Sequence, residues 1–184
     1  MALILNVARA IDDAELRRLS QLNPGHQLER DAQGRLVVTP TGWRSGGRNM
    51  QLAKQLLDWH AAANIGKLFD SSTGFHLPDG SVRSPDASWV SDEQWRSFRE
   101  SDDVFPPLCP DVIFELRSTS DSMEQLRAKL RAYAANGCKL GVLVDPEAKS
   151  VELYRPNAPA ERHDYGPLSL AELPGFTLDP GALD

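Results

Sequence analysis

The stretch Cys109–Ser120, CPDVIFELRSTS, constrains this chain more than any other. Val112, Ile113 and Phe114 form a β-branched and aromatic run, so Val112 to Leu116 is predicted as a buried strand. Pro110 stands at its mouth, where a missing N–H does least harm. Side chains alternate faces along a strand. Val112, Phe114 and Leu116 therefore share a core face, and Asp111, Ile113, Glu115 and Arg117 share the other. A carboxylate on such a strand needs a cationic partner, a metal or a solvent cleft, because an unpaired buried charge is costly. Glu115 is thus the predicted chemical centre.

The flanking sequence supplies elements around it. Asp12 opens a helix with Glu15 three residues on, a capping-box spacing; Leu16, Leu19 and Leu22 form its stripe and Asn23-Pro24-Gly25 stops it. Gln27–Arg30 and Arg35–Thr39 read as a hairpin, with Glu29 facing opposite to Leu28 and expected in solvent. TGWRSGGRN reads as a glycine-rich loop that is no P-loop, with Arg44 and Arg48 able to touch phosphates. A helix follows from Arg48 to Ala63, with Leu52, Leu56, Leu57 and Ala63 inward. Lys67–Phe75 and Val82–Val90, separated by a Pro-Asp-Gly turn, predict one long hairpin bent at Pro85, next to Asp86. Ser91 to Ser101 predicts a short helix capped by Ser91 and anchored by Trp95 and Phe98. Ser122 to Asn136 predicts a helix with Met123, Leu126, Leu130 and Tyr133 buried; Lys129 borders that stripe. Leu140–Val144 and Val151–Tyr154 are two further strands, and the tail is expected to end in disorder.

With 184 residues, 25% charged and 41% hydrophobic, the chain suits a single domain over 1–184. A net charge of −6 argues against tight unaided DNA binding. It leaves room for an acidic site neutralised by divalent metal. Cys109 and Cys138 form no CxxC and no framework, so a reducing cytoplasm is expected. MALILNVARA lacks a positive flank, and no run of residues is long enough to span a bilayer. The four histidines have no ligand spacing, and no GxSxG occurs.

A Pro-Asp on one strand, a Glu on a second and a nearby base is the arrangement a magnesium nuclease requires. Two carboxylates on adjacent strands converge on a hard cation, which polarises the phosphate and activates water. Pro110-Asp111 is a rival to Pro85-Asp86. However, Asp111 and Glu115 lie four residues apart on one strand, roughly 13 Å at 3.3 Å per residue, too far to share a metal.

The chain resembles the Uma-type restriction-endonuclease-domain group of the PD-(D/E)XK nuclease superfamily. The resemblance rests on LER around Glu29, GGRN at 46–49, FDSSTGF at 69–75, RSPDASWV at 83–90, FPPLCPDVIFELRS at 105–118, Lys129 with Tyr133, GVLVDP at 141–146, VELYRP at 151–156 and LPGF at 173–176. It implies an α/β (α+β) restriction-endonuclease-like fold: a mixed sheet core flanked by helices, with an N-terminal helix and hairpin. It implies Asp86 and Glu115 as metal-binding carboxylates, supplemented by Glu29. Mg²⁺, with Mn²⁺ as substitute, is the implied cofactor, DNA the implied substrate, and a homodimer the means of cutting both strands. The position two after Glu115 is Arg117, where the superfamily has lysine. A guanidinium cannot act as a base, so either Arg117 acts electrostatically or the lysine has moved to Lys129. A catalytically inactive binding or regulatory module of the same fold is the alternative reading, with Asp86 and Glu115 salt-bridged to Arg117 and Lys129.

Overall fold

The computed structural model describes residues 2–40, 42–97 and 104–184. In chain order the elements are β1 (Leu3–Leu5), α1 (Asp13–Leu22), β2 (His26–Arg30), β3 (Leu36–Pro40), α2 (Trp43–Ala63), β4 (Lys67–Asp70), β5 (Phe75–His76), β6 (Val82–Arg83) and β7 (Ala87–Val90). They continue with α3 (Asp92–Ser97), β8 (Val112–Leu116), α4 (Met123–Ala135), β9 (Leu140–Asp145), β10 (Ser150–Tyr154), β11 (Glu161–Asp164), β12 (Leu168–Ser169), β13 (Thr177–Leu178) and a 3-10 turn over Pro180–Leu183.

The strands form a six-stranded sheet, β11-β10-β9-β8-β7-β4, a five-stranded sheet, β1-β3-β2-β6-β5, and the small pair β12-β13. Only β8 and β9 run parallel within the six-stranded sheet, as their crossover through α4 requires. That sheet is covered on both faces. Val112, Phe114 and Leu116 pack with Leu52, Leu56 and Trp59 of α2 and with Leu173 and Phe176 of the tail. On the other face Ile113 and Leu143 pack with Leu130 and Tyr133 of α4. Every residue of β8 and β9 is buried, as expected for strands covered twice. In the five-stranded sheet, Leu16 of α1 packs on Leu28 and Val82.

Several local signals act as predicted. Asp12 caps α1 by accepting from the Glu15 N–H at 2.8 Å, and Ser122 accepts from the Gln125 N–H at the start of α4. Glu15 itself turns to Arg18, so the capping box is half formed. Asp111 accepts the Ser91 N–H at 2.7 Å and faces Lys139 at 2.8 Å.

Other expectations are corrected. TGWRSGGRN is no loop, because α2 begins at Trp43 and takes up Gly46 and Gly47. Glycine's weak helix propensity is overridden there by tertiary contacts such as that of Asn49 with Asp86. Leu57 and Leu22 are 59% and 63% exposed, off the inward faces assigned to them. The single long hairpin is two: β5 pairs with β6 in one sheet, and β4 pairs with β7 in the other. The break falls at Ser84-Pro85-Asp86, where proline has no N–H to continue a ladder. The chain end is ordered by burial of Leu183 and by pairing of Asp184 with Lys149. Phe98 and the end of its predicted helix lie outside the described residues.

Gly66 seats β7 against the end of α2. Its φ is +70°, and an added Cβ would lie 2.5 Å from the Val90 carbonyl and 2.3 Å from Trp89 Nε1. Gly47 in α2 has open space around it. Gly66→Ala is expected to destabilise by about 2 kcal/mol or more, and Gly47→Ala to stabilise by about 0.5–1 kcal/mol. Urea unfolding of the two variants beside wild type checks both signs.

Candidate functional site: carboxylates around a buried lysine

β7 and β8 run antiparallel with Ala87 opposite Phe114 and Ser88 opposite Ile113. Asp86 stands at the bend just before β7, close enough to Glu115 on β8 for its charge to act on that carboxyl. The Leu116 N–H donates to Asp86 Oδ2 at 2.7 Å, and Asn49 of α2 donates to Oδ1 at 3.0 Å. Asp86 is thereby held at the point where the chain passes from one sheet to the other.

That crossing is clamped from both sides. The Ser84 N–H donates to Glu29 Oε1 at 2.7 Å, and its carbonyl accepts from Gln27 at 2.9 Å and from Lys129 Nζ at 3.3 Å. Glu29, on β2 of the five-stranded sheet, is only 4% exposed. The expected solvated glutamate is instead buried at the seam of the two sheets.

Lys129 reaches this seam from α4. Its Nζ lies 2.7 Å from Glu115 Oε1 and 3.0 Å from Glu29 Oε1. The Glu115 contact is off the hydrogen-bond axis, so Oε1 has a charge contact without an aligned donor. The structure thus brings together Glu29, Asp86, Glu115 and Lys129. Arg117 does not join them, since its Nη1 bonds Asp145 at 2.9 Å and lies 3.3 Å from Glu147. Two residues absent from the predicted set lie close by. Arg83 Nη1 is 3.5 Å from Glu29 Oε2. Tyr133, one turn after Lys129, is fully buried with a hydroxyl that has no protein partner. The position of Arg83, three residues before Asp86, was the one available hint in the sequence.

Burial pushes the Glu115 carboxyl up to about 8; Lys129 opposes this, and the charges of Asp86 and Glu29 add to it. Burial likewise raises Asp86. It would raise Glu29 too, but Lys129, Arg83 and the Ser84 N–H outweigh it and hold that group below its ordinary value. Burial disfavours the Lys129 ammonium, yet Glu115 and Glu29 more than reverse this and keep it charged. Three carboxylates facing one ammonium and one guanidinium carry excess negative charge, which adds to burial in raising Glu115.

Glu29, Arg83, Asp86, Glu115 and Lys129 all line a cleft of about 1120 Å³. Among the described residues no three His, Cys, Asp or Glu side chains form a metal cage. The donor set suits a hard cation nonetheless. Mg²⁺ is ordinarily held by one or two carboxylates, with water and substrate phosphate completing its shell. Asp86 and Glu115 are carboxylates of that kind, although both Asp86 oxygens accept hydrogen bonds from Leu116 and Asn49, as both Glu29 oxygens face Ser84, Lys129 or Arg83.

Among the described residues no helix is long and apolar enough to cross a membrane. No curated protein matches the chain. A crystal structure described as "a putative nuclease belonging to DUF820", from Anabaena variabilis ATCC 29413, matches with a TM-score of 0.71 at 18% identity, over 85% of this chain and 88% of that one. At that identity the match shows a shared fold, in agreement with the expected restriction-endonuclease-like architecture. The family model Uma2, described as "Putative restriction endonuclease", matches residues 13–181. The chain, with its paired acids and buried lysine at the seam of two sheets, therefore belongs to the Uma2 restriction-endonuclease family.

Proposed function

We propose that this protein is a metal-dependent endonuclease that hydrolyses DNA phosphodiesters, with Mg²⁺ as its ion and Mn²⁺ as a substitute. Family membership supports a nuclease. The observation that carries the finer reading is Asp86 held at the bend before β7 by the Leu116 N–H of β8, with Lys129 2.7 Å from Glu115, all lining one cleft. A network serving stability alone has no need of a cleft.

In this reading Asp86 and Glu115 hold the ion, which when bound polarises the phosphate and lowers the pKa of water. The Leu116 N–H and Asn49 fix the Asp86 carboxylate, so its aim is set before substrate arrives. Lys129 stays an ammonium. It orients the attacking water and balances charge on the phosphate, and is no general base while protonated. Glu29 supports the site by holding Lys129 and Arg83 in place. Two-strand cleavage of a duplex needs two such sites, so the working form is a homodimer of single-domain chains. The free, buried Cys109 and Cys138 accord with a reducing cytoplasm.

Plasmid cleavage with Mg²⁺ or Mn²⁺ tests the reading. Asp86→Asn, Glu115→Gln and Lys129→Met are each expected to lose at least about 10²-fold in rate. Mn²⁺ is expected to raise the melting temperature of wild type, and not that of Asp86→Asn. Cleavage that survives Glu115→Gln would remove the mechanism. A fully folded wild type with neither cleavage nor a Mn²⁺ shift would instead identify the non-catalytic module.

The carboxylate excess also has a signature without turnover. In chelator, folded protein keeps the Glu115 proton up to about pH 8, whereas the unfolded chain releases it near the ordinary 4.5. Between those values the folded state binds more protons, so stability falls as pH rises. Glu115→Gln is expected to remove that part of the fall, seen as a melting-temperature gain over wild type larger at pH 8 than at pH 5.

A further inference from the structure

We propose that Arg83 binds the scissile phosphate directly, as a further catalytic residue; this rests on the nuclease reading above. Among the described residues, three cations in or near the cleft have short protein contacts. Lys129 Nζ sits among Glu115, Glu29 and the Ser84 carbonyl. Arg117 is bound to Asp145 and Glu147. Arg35 is bound to Asp31 at 2.6 Å.

Arg83 differs. Its side chain is 14% exposed, yet its one ion contact, to Glu29 Oε2, is long at 3.5 Å. Its Nε is buried without any partner. A guanidinium carries five donors in a rigid fork, and leaving buried donors unmade is costly. The group lines the cleft beside Asp86, Glu115 and Lys129. A phosphodiester seated on Asp86 and Glu115 would offer the non-bridging oxygens that such a fork takes in bidentate fashion.

Charge favours the same conclusion. With a divalent ion bound, the three carboxylates are offset by the ion and Lys129 together. Arg83 then offers its charge to a phosphodiester monoanion, with Asp79 and Asp121 as further acids along the cleft. The position on β6, one residue before the clamped Ser84 and three before Asp86, puts Arg83 on the same backbone segment as that carboxylate. Arg83 performs no proton transfer. It binds the phosphate and stabilises the charge that develops on its oxygens.

The test compares wild type, Arg83→Lys and Arg83→Ala on a plasmid with Mn²⁺. Arg83→Lys keeps a charge for Glu29 but lacks the fork. It is expected to fold, to retain the wild-type Mn²⁺-induced melting shift, and to lose about 10²–10³-fold in kcat. Arg83→Ala is expected to lose at least as much and to recover part of its rate in millimolar guanidinium, with methylammonium ineffective. Either variant cleaving at the wild-type rate overturns the assignment and leaves the nuclease reading intact. Loss of the Mn²⁺ shift together with failure of guanidinium rescue also overturns it, because Arg83 would then act through Glu29 as a structural group. A wild type that cleaves nothing overturns the nuclease reading and this inference with it.

Discussion

One buried ammonium ties the molecule together where its parts come from farthest in the chain. Lys129 extends from α4 to Glu115 on β8, to Glu29 on β2 and to the backbone at Ser84. Those contacts join both main sheets and the helix that connects the parallel strands. A buried ion network of this kind is rarely worth more than well-packed hydrocarbon of the same volume, but breaking one partner leaves an uncompensated charge. Such a network is best understood through the geometry it imposes. The stability around it comes from the two apolar layers on either side of the six-stranded sheet.

The seam at Ser84-Pro85-Asp86 makes the network possible. A continuous hairpin would have buried Asp86 in an uninterrupted ladder. Proline ends the ladder instead, and the chain changes sheets with Asp86 at the bend. The same bend exposes the Ser84 N–H and carbonyl to Glu29 and Lys129. Backbone groups that would otherwise be orphaned are satisfied by the site's own charges. Fold and site are thus one solution to a single hydrogen-bonding problem.

Electrostatically the site is incomplete as protein alone. Its acids outnumber its cations, and burial together with the charges of Asp86 and Glu29 pushes the Glu115 carboxyl up. Members of the restriction-endonuclease family generally use divalent metal ions.

The sequence by itself determined the elements whose signals are local. β8 has the predicted bounds Val112–Leu116, and α4, Met123–Ala135, falls within the predicted span Ser122 to Asn136. Glu115 and Lys129 stood out because a charge within or beside an apolar pattern violates that pattern. The helical start of α2 through Gly46 and Gly47, the division of one hairpin between two sheets, and the ordered chain end depended on distant contacts that no local propensity encodes. The burial of Glu29, the engagement of Arg117 by Asp145 and the entry of Arg83 into the cleft were likewise decided only in three dimensions. Whether a charged side chain is solvated, paired or poised depends on which groups from other elements reach it, and only the tertiary structure brings those groups together.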